Sequence, residues 1–146
     1  MPTYTVTAPQ GRLSGEQKAK IAAAITRIHH DVTGAPTYFA QVIFSEPAAG
    51  NWFVGGAPLA EDQVFVHGQI RGGRTAENKK KLLLQILDAV AAAAQMPRGH
   101  VWVYIVDLLP AQMAEFGHIL PEPGEDAAWT AALPAADRER FAKIGR

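Results

Sequence analysis

The sequence predicts an α+β domain in which two βαβ units share one four-stranded sheet, with both helices on one face of it. Three observations lead there. Strand and helix patterns alternate along the chain, both helical patterns are long enough to act as crossovers between parallel strands, and the whole order of elements occurs twice. Residues 4–8 alternate polar and apolar side chains as a half-buried strand does. Ser14 opens a helical pattern in which Ile21, Ile25, Ile28 and Val32 recur at spacings of four, three and four, and Gly34 and Pro36 end it. The apolar run 39–44 has strand length, and after a stretch containing Gly and Pro the strand pattern returns at 64–70. A second helix starts at Thr75 and carries Leu82, Leu83, Ile86, Leu87 and Val90; a last strand, 101–106, follows Pro97.

The repeat is visible at a constant offset of 61 positions. Tyr4 falls on Phe65, Ser14 on Thr75, Glu16 on Glu77, Lys18 on Lys79, Ile25 on Ile86, Pro36 on Pro97 and Val42 on Val103. The chain therefore divides into a first βαβ unit at 2–46, a second at 63–107 and a C-terminal segment at 108–146, all within a single domain, 1–146. Two such units leave the second face of the sheet without a helical layer. That face is expected to be covered in a symmetric oligomer.

Composition removes several function classes. With 146 residues the chain is one domain's worth, large enough to bury a core without staples. Fourteen basic residues balance 14 acidic ones, so no overall field draws the protein to nucleic acid or an anionic membrane, and neither is expected as a partner. The absence of cysteine excludes disulfides, thiolate metal sites and cysteine nucleophiles. No His, Asp or Glu spacing suits a metal, and no metal or cofactor is expected. Without a membrane-length apolar stretch or a leader pattern at its start, the protein reads as cytoplasmic.

Where the two halves differ, titratable groups appear. At the same offset Pro2 falls on Gln63, Gln10 on Arg71, Leu13 on Arg74 and His29 on Val90. One half brings an amine and an imidazole, the other two guanidiniums, as expected of a site assembled across a pseudo-twofold relation. Once Met1 is lost, the Pro2 nitrogen is a secondary amine that takes and gives a proton, and burial or nearby arginines pull its pKa toward neutrality. Arg71 and Arg74, in Arg-Gly-Gly-Arg between a strand and a helix start, are placed to converge on one small anion. His29 lies at the edge of the apolar stripe of its helix, and His30 is turned about 100° farther round. Tyr104 lies in the final strand. Glu115 sits in a stretch, 111–116, that reads as a single helical turn. Taken one at a time, each has a plainer reading: a processed terminus, a solvated turn, a structural histidine, a strand tyrosine. Lys79, Lys80 and Lys81 read as an exposed helix face, and His67 and His100 as strand or loop residues.

Taken together, Pro2, His29, Phe65-Val66-His67-Gly68, Arg71-Gly72-Gly73-Arg74, Val101-Trp102-Val103-Tyr104, Gln112-Met113-Ala114-Glu115 and Leu120-Pro121-Glu122-Pro123-Gly124 closely resemble the cis-3-chloroacrylic acid dehalogenase family of the tautomerase superfamily. The resemblance covers nearly the whole chain. It implies the tautomerase fold, a homotrimer, and cofactor-independent chemistry on a small carboxylate. In that likeness Pro2 protonates the carbon next to the carboxylate, Arg71 and Arg74 bind and polarise the carboxylate with help from His29, and Glu115 and Tyr104 position and activate water. Hydration of a cis-3-haloacrylate then yields a halohydrin that collapses to malonate semialdehyde. The same superfamily implies two rivals: a keto-enol tautomerase of 2-oxo acids such as phenylpyruvate, with neutral Pro2 as base, and a non-catalytic signalling or scaffold trimer like macrophage migration inhibitory factor. Tyr4 matches an aromatic position near the family's proline. The sequence departs from the pattern at His118, where relatives usually have arginine, and at Phe116, where they often have tyrosine.

Overall fold

Ser14 and Thr75 begin the two long helices for the same physical reason: each hydroxyl accepts a backbone N–H that the first helical turn leaves unpaired. Ser14 accepts from the Gln17 N–H at 3.1 Å, while the Gln17 side chain accepts from the Ser14 N–H at 2.9 Å, a complete capping box. Thr75 accepts from the Asn78 N–H at 3.1 Å. Helix α1 then runs Gly15–Thr33 and ends on Gly34 in the left-handed region; helix α2 runs Ala76–Ala94 and ends on Gln95. The computed structural model describes residues 2–144, so the loss of Met1, on which the chemistry of Pro2 depends, lies outside the described residues.

The strands are β1 (Thr3–Thr7), β2 (Gln41–Ser45), the short hairpin β3 (Phe53–Val54) and β4 (Ala57–Pro58), then β5 (Val64–Arg71) and β6 (Val101–Leu108). The main sheet has the order β2-β1-β5-β6. β1 and β2 are parallel, β5 and β6 are parallel, and β1 meets β5 antiparallel at the centre. Each unit is thus a parallel βαβ, and the two are joined through their first strands. Alternation decides the faces. Tyr4, Val6, Val64, Val66 and Ile70 point to the helices and are buried against Ile21 and Ile25 of α1 and Leu82, Ile86 and Val90 of α2. The opposite face carries Ile43, Trp102, Tyr104 and Val106, all exposed.

Two local features differ from the sequence pattern. The run beginning at Phe39 is not strand from its start: a 3₁₀ turn, Thr37–Phe39, follows Pro36 and closes through the Ala40 N–H to the Thr37 carbonyl at 3.0 Å. The second unit repeats this, with Arg98–His100 after Pro97. The single helical turn expected at 111–116 is instead a 3₁₀ turn, Pro110–Gln112, followed by a hairpin of β7 (Ala114–Glu115) and β8 (His118–Ile119). Phe116 at φ 53° and Gly117 at φ 89° make its two-residue turn; positive φ at both central positions is the twist that pairs adjacent strands. Beyond it lie α3 (Asp126–Ala132) and α4 (Ala135–Phe141). Their side chains build a second apolar cluster, in which Phe39 meets the rings of Phe116, Trp129 and Phe141 at 5.8–6.0 Å.

Candidate active site

Pro2 enters β1 with its ring buried and its carbonyl accepting from the Gln41 N–H at 3.0 Å. Two residues on, Tyr4 points to the same face and brings its hydroxyl to 2.9 Å from His29 Nδ1. Gly68 lies directly opposite Tyr4 in the antiparallel register, where a Cβ would stand 2.5 Å from the tyrosine ring. The glycine is the space into which the ring fits. Burial pushes the Tyr4 phenol up, so it stays protonated, and a buried hydroxyl left undonated is costly. The phenol therefore donates to Nδ1, and this hydrogen bond assigns the imidazole proton to Nε2. His29 is only 3% exposed, and its pKa falls from the ordinary 6.5 to about 3, by burial first and then by the positive charges of Arg74 and Arg71. At neutral pH it is an uncharged donor beside two guanidiniums. His30 is on the outside of the helix, with Nδ1 at 2.8 Å from the Ala35 carbonyl.

The two arginines are held in different ways. Arg71 ends β5 and is 3% exposed. Its Nη1 donates to the Pro121 carbonyl at 2.9 Å and its Nη2 to Asp126 Oδ2 at 2.9 Å, while Nε is buried without a partner among the described residues. Gly73, at φ 92°, turns the chain where a Cβ would stand 2.6 Å from Pro123. Arg74 thereby swings back to donate from Nη1 to the Thr33 carbonyl at 3.1 Å, an acceptor that the last turn of α1 leaves open. Burial and the like charge of Arg71 lower the Arg74 pKa, and Asp126 opposes them. Burial works to raise the Asp126 carboxyl, but the hydrogen bond and charge of Arg71 and the charge of Arg74 outweigh it and hold the group below its usual range. Asp126 is thus an ionised counter-charge to the pair. Arg74 and Asp126 line a cleft of ≈ 530 Å³ with Thr33, Tyr38 and Thr130.

Glu115 lines a second cleft of ≈ 530 Å³ with Tyr38, Gln41 and Phe116, so the two clefts share Tyr38. Through Gln41 this cleft abuts the strand end that holds the Pro2 carbonyl. Tyr104 is elsewhere. It pairs with His67 in the register, packs edge-on against Phe65 at 5.0 Å and stands 54% exposed on the uncovered face. One protomer thus places His29 against β1 through Tyr4, Arg71 and Arg74 at the end of β5 that runs past the start of β1, Glu115 in a cleft beside β2, and Tyr104 on the other side of the sheet. Among the described residues no three His, Asp or Glu side chains come together as around a metal, and no helix is long and apolar enough to cross a membrane.

Residues 1–132 match the sequence model of the Tautomerase_3 family, described as "Putative oxalocrotonate tautomerase enzyme". The chain belongs to the tautomerase family. This chain is 39% identical to N1, a member of the cis-3-chloroacrylic acid dehalogenase family, with a TM-score of 0.93 over 97% of this chain and 99% of that one. It therefore falls within that dehalogenase family. It is also similar to F6 fused 4-OT, an asymmetric trimer (28% identity, TM-score 0.74, 80% of this chain and 94% of that chain), and to Q0 fused 4-OT, a symmetric trimer (25%, 0.74, 83% and 97%). A search of curated protein sequences gave no match.

The departures at 116 and 118 are tied to the C-terminal helices. His118 Nε2 is 2.9 Å from Asp137 Oδ2 and its ring meets Trp129 edge-on, while Phe116 packs on Phe141 at 4.7 Å with Arg140 over its other side at 5.5 Å. The residue that sequence reasoning missed is Asp126. Its signal was present in principle: two converging arginines in a chain of zero net charge call for a local acid.

Proposed function

We propose that this protein adds water to small unsaturated carboxylates, cis-3-haloacrylates among them, with Pro2 as the proton donor after loss of Met1. The observation that carries this reading is the arginine pair: Arg71 is buried with its Nε unpaired among the described residues, beside Arg74 and a neutral His29, a set of donors suited to one carboxylate. As the guanidiniums draw electron density toward the carboxylate, the far carbon of the double bond becomes electrophilic. Water held by Glu115 and Tyr104 attacks there and gives up a proton to Glu115; the new C–O bond forms, the π pair moves to the carbon next to the carboxylate, and Pro2 delivers its proton to that carbon. With a chloroalkene the product is a chlorohydrin, which loses HCl to leave malonate semialdehyde.

Because Tyr104 faces away from His29 within one protomer, this chemistry requires a neighbouring copy to supply it. A homotrimer, the assembly of the two fused 4-OT relatives, covers the exposed Ile43, Trp102 and Val106 at the same time. The position of Tyr104 also favours a second reading, ketonisation of 2-oxo acids, since that reaction uses Pro2, His29 and the arginines without activated water.

The deciding experiment measures chloride release from cis-3-chloroacrylate and ketonisation of phenylpyruvate with protein whose intact mass confirms loss of Met1. Fast chloride release that Pro2→Ala abolishes supports hydration. Fast ketonisation with only trace chloride moves the assignment to the tautomerase, and neither activity in the Met1-free protein rejects both.

A further inference from the structure

Asp126 is an unexpected group to find at a carboxylate-binding site. It adds a negative charge to a pocket proposed to hold an anion. It also meets Arg71 through only one of its oxygens: Oδ2 is 2.9 Å from Nη2, while Oδ1 and the Arg71 Nε are both buried without partners among the described residues. A fully paired fork would close both arginine edges; this one leaves the Nε edge unsatisfied. The Pro121 carbonyl holds Nη1 from the other side, so the plane of the guanidinium is set by two protein acceptors before any ligand arrives. Among the described residues Arg74 is anchored by the neutral Thr33 carbonyl, and His29 is uncharged. At the carboxylate-binding end, the two guanidiniums and the Asp126 carboxylate therefore sum to one positive charge, while the proton carried by Pro2 is committed to the reacting carbon.

We infer that Asp126 is the specificity-determining residue of this pocket: its ion pair with Arg71 leaves the arginine pair one uncompensated positive charge, which selects small monocarboxylates over dicarboxylates. A single carboxylate neutralises the pocket. A second carboxylate on the ligand finds the charge of Arg71 already paired and meets the negative charge of Asp126 in the cleft that Asp126 and Arg74 line. This selection rests on the carboxylate-binding role given to Arg71 and Arg74 above, but not on turnover.

The test is direct binding by calorimetry of acrylate and of maleate, its counterpart bearing a second cis carboxylate, at a pH where maleate is a dianion. The wild-type protein is expected to bind acrylate more tightly. Asp126→Asn keeps an oxygen to accept from Arg71 Nη2 and removes only the charge, so the affinity ratio should move toward maleate by about tenfold or more. Asp126→Ala should move it in the same direction, and in addition lower kcat through the loosened Arg71. A merely structural role changes both affinities together, so an unchanged ratio in correctly folded Asp126→Asn, checked by near-ultraviolet circular dichroism, overturns the inference. Wild-type protein that binds neither acid overturns the carboxylate pocket and this inference with it. Wild-type protein that binds acrylate selectively but turns over no substrate leaves the inference standing and rejects the proposed reaction.

Discussion

Replacing His29 with glutamine should remove most of one specific loss of stability in mild acid. The imidazole is buried, accepts from the Tyr4 hydroxyl and lies in the field of two arginines, and its pKa is lowered from 6.5 to about 3. In the unfolded chain it titrates near the ordinary value, so below pH 6.5 the unfolded state takes up a proton that the folded state refuses. The stability associated with neutral His29 is complete above 6.5 and is lost as pH falls from there toward 3. The slope is about 1.4 kcal/mol per pH unit, so a drop to pH 5 removes roughly 2 kcal/mol. His29→Gln offers an amide oxygen to the same phenol and has no titration. Urea unfolding of both proteins at pH 7.5 and 5, at one protein concentration, isolates the contribution of His29, because the two proteins are otherwise identical. The carboxyl of Asp126, held below its usual 3.8, contributes stability that is lost only at lower pH. Equal losses in the two proteins over this interval would refute the account of a desolvated, neutral His29.

Three further outcomes follow from the geometry. Glu115→Gln should cut hydration by about 100-fold or more while leaving phenylpyruvate ketonisation largely intact; steady-state kinetics on both substrates measures the split, and equal losses contradict the division of roles. Gly68→Ala places a methyl where the Tyr4 ring stands, so it should destabilise the fold by about 1–3 kcal/mol in urea unfolding and lower activity by displacing the partner of His29. Val106→Asp, on the uncovered face away from the helices, should shift sedimentation equilibrium from trimer toward monomer, and a trimer that survives unchanged locates the subunit contact elsewhere.

Much of this architecture was legible in the sequence because it is written in short-range patterns. The stripe from Ile21 to Val32, the hydroxyls of Ser14 and Thr75 and the alternation along β1 and β5 each act within a few residues, and the 61-residue offset made one half a check on the other. His29 could be placed at the inner edge of its helix by angle alone, and the Arg-Gly-Gly-Arg turn by its glycines. The hairpin that carries Glu115 escaped, because its turn depends on Phe116 taking a positive φ, which the spacing of apolar residues does not report.

The sequence by itself determined which segments become strands and helices, which faces they bury and which residue types are available for chemistry, because those follow from local backbone periodicity and burial. Only the tertiary structure decided that Asp126 closes on Arg71 across 55 positions, that Tyr4 hydrogen-bonds to His29, and that Tyr104 stands on the open face while His29 lies between α1 and the covered face. Charge balance, tautomer and access depend on distances between groups far apart in the chain, and folding alone sets those distances.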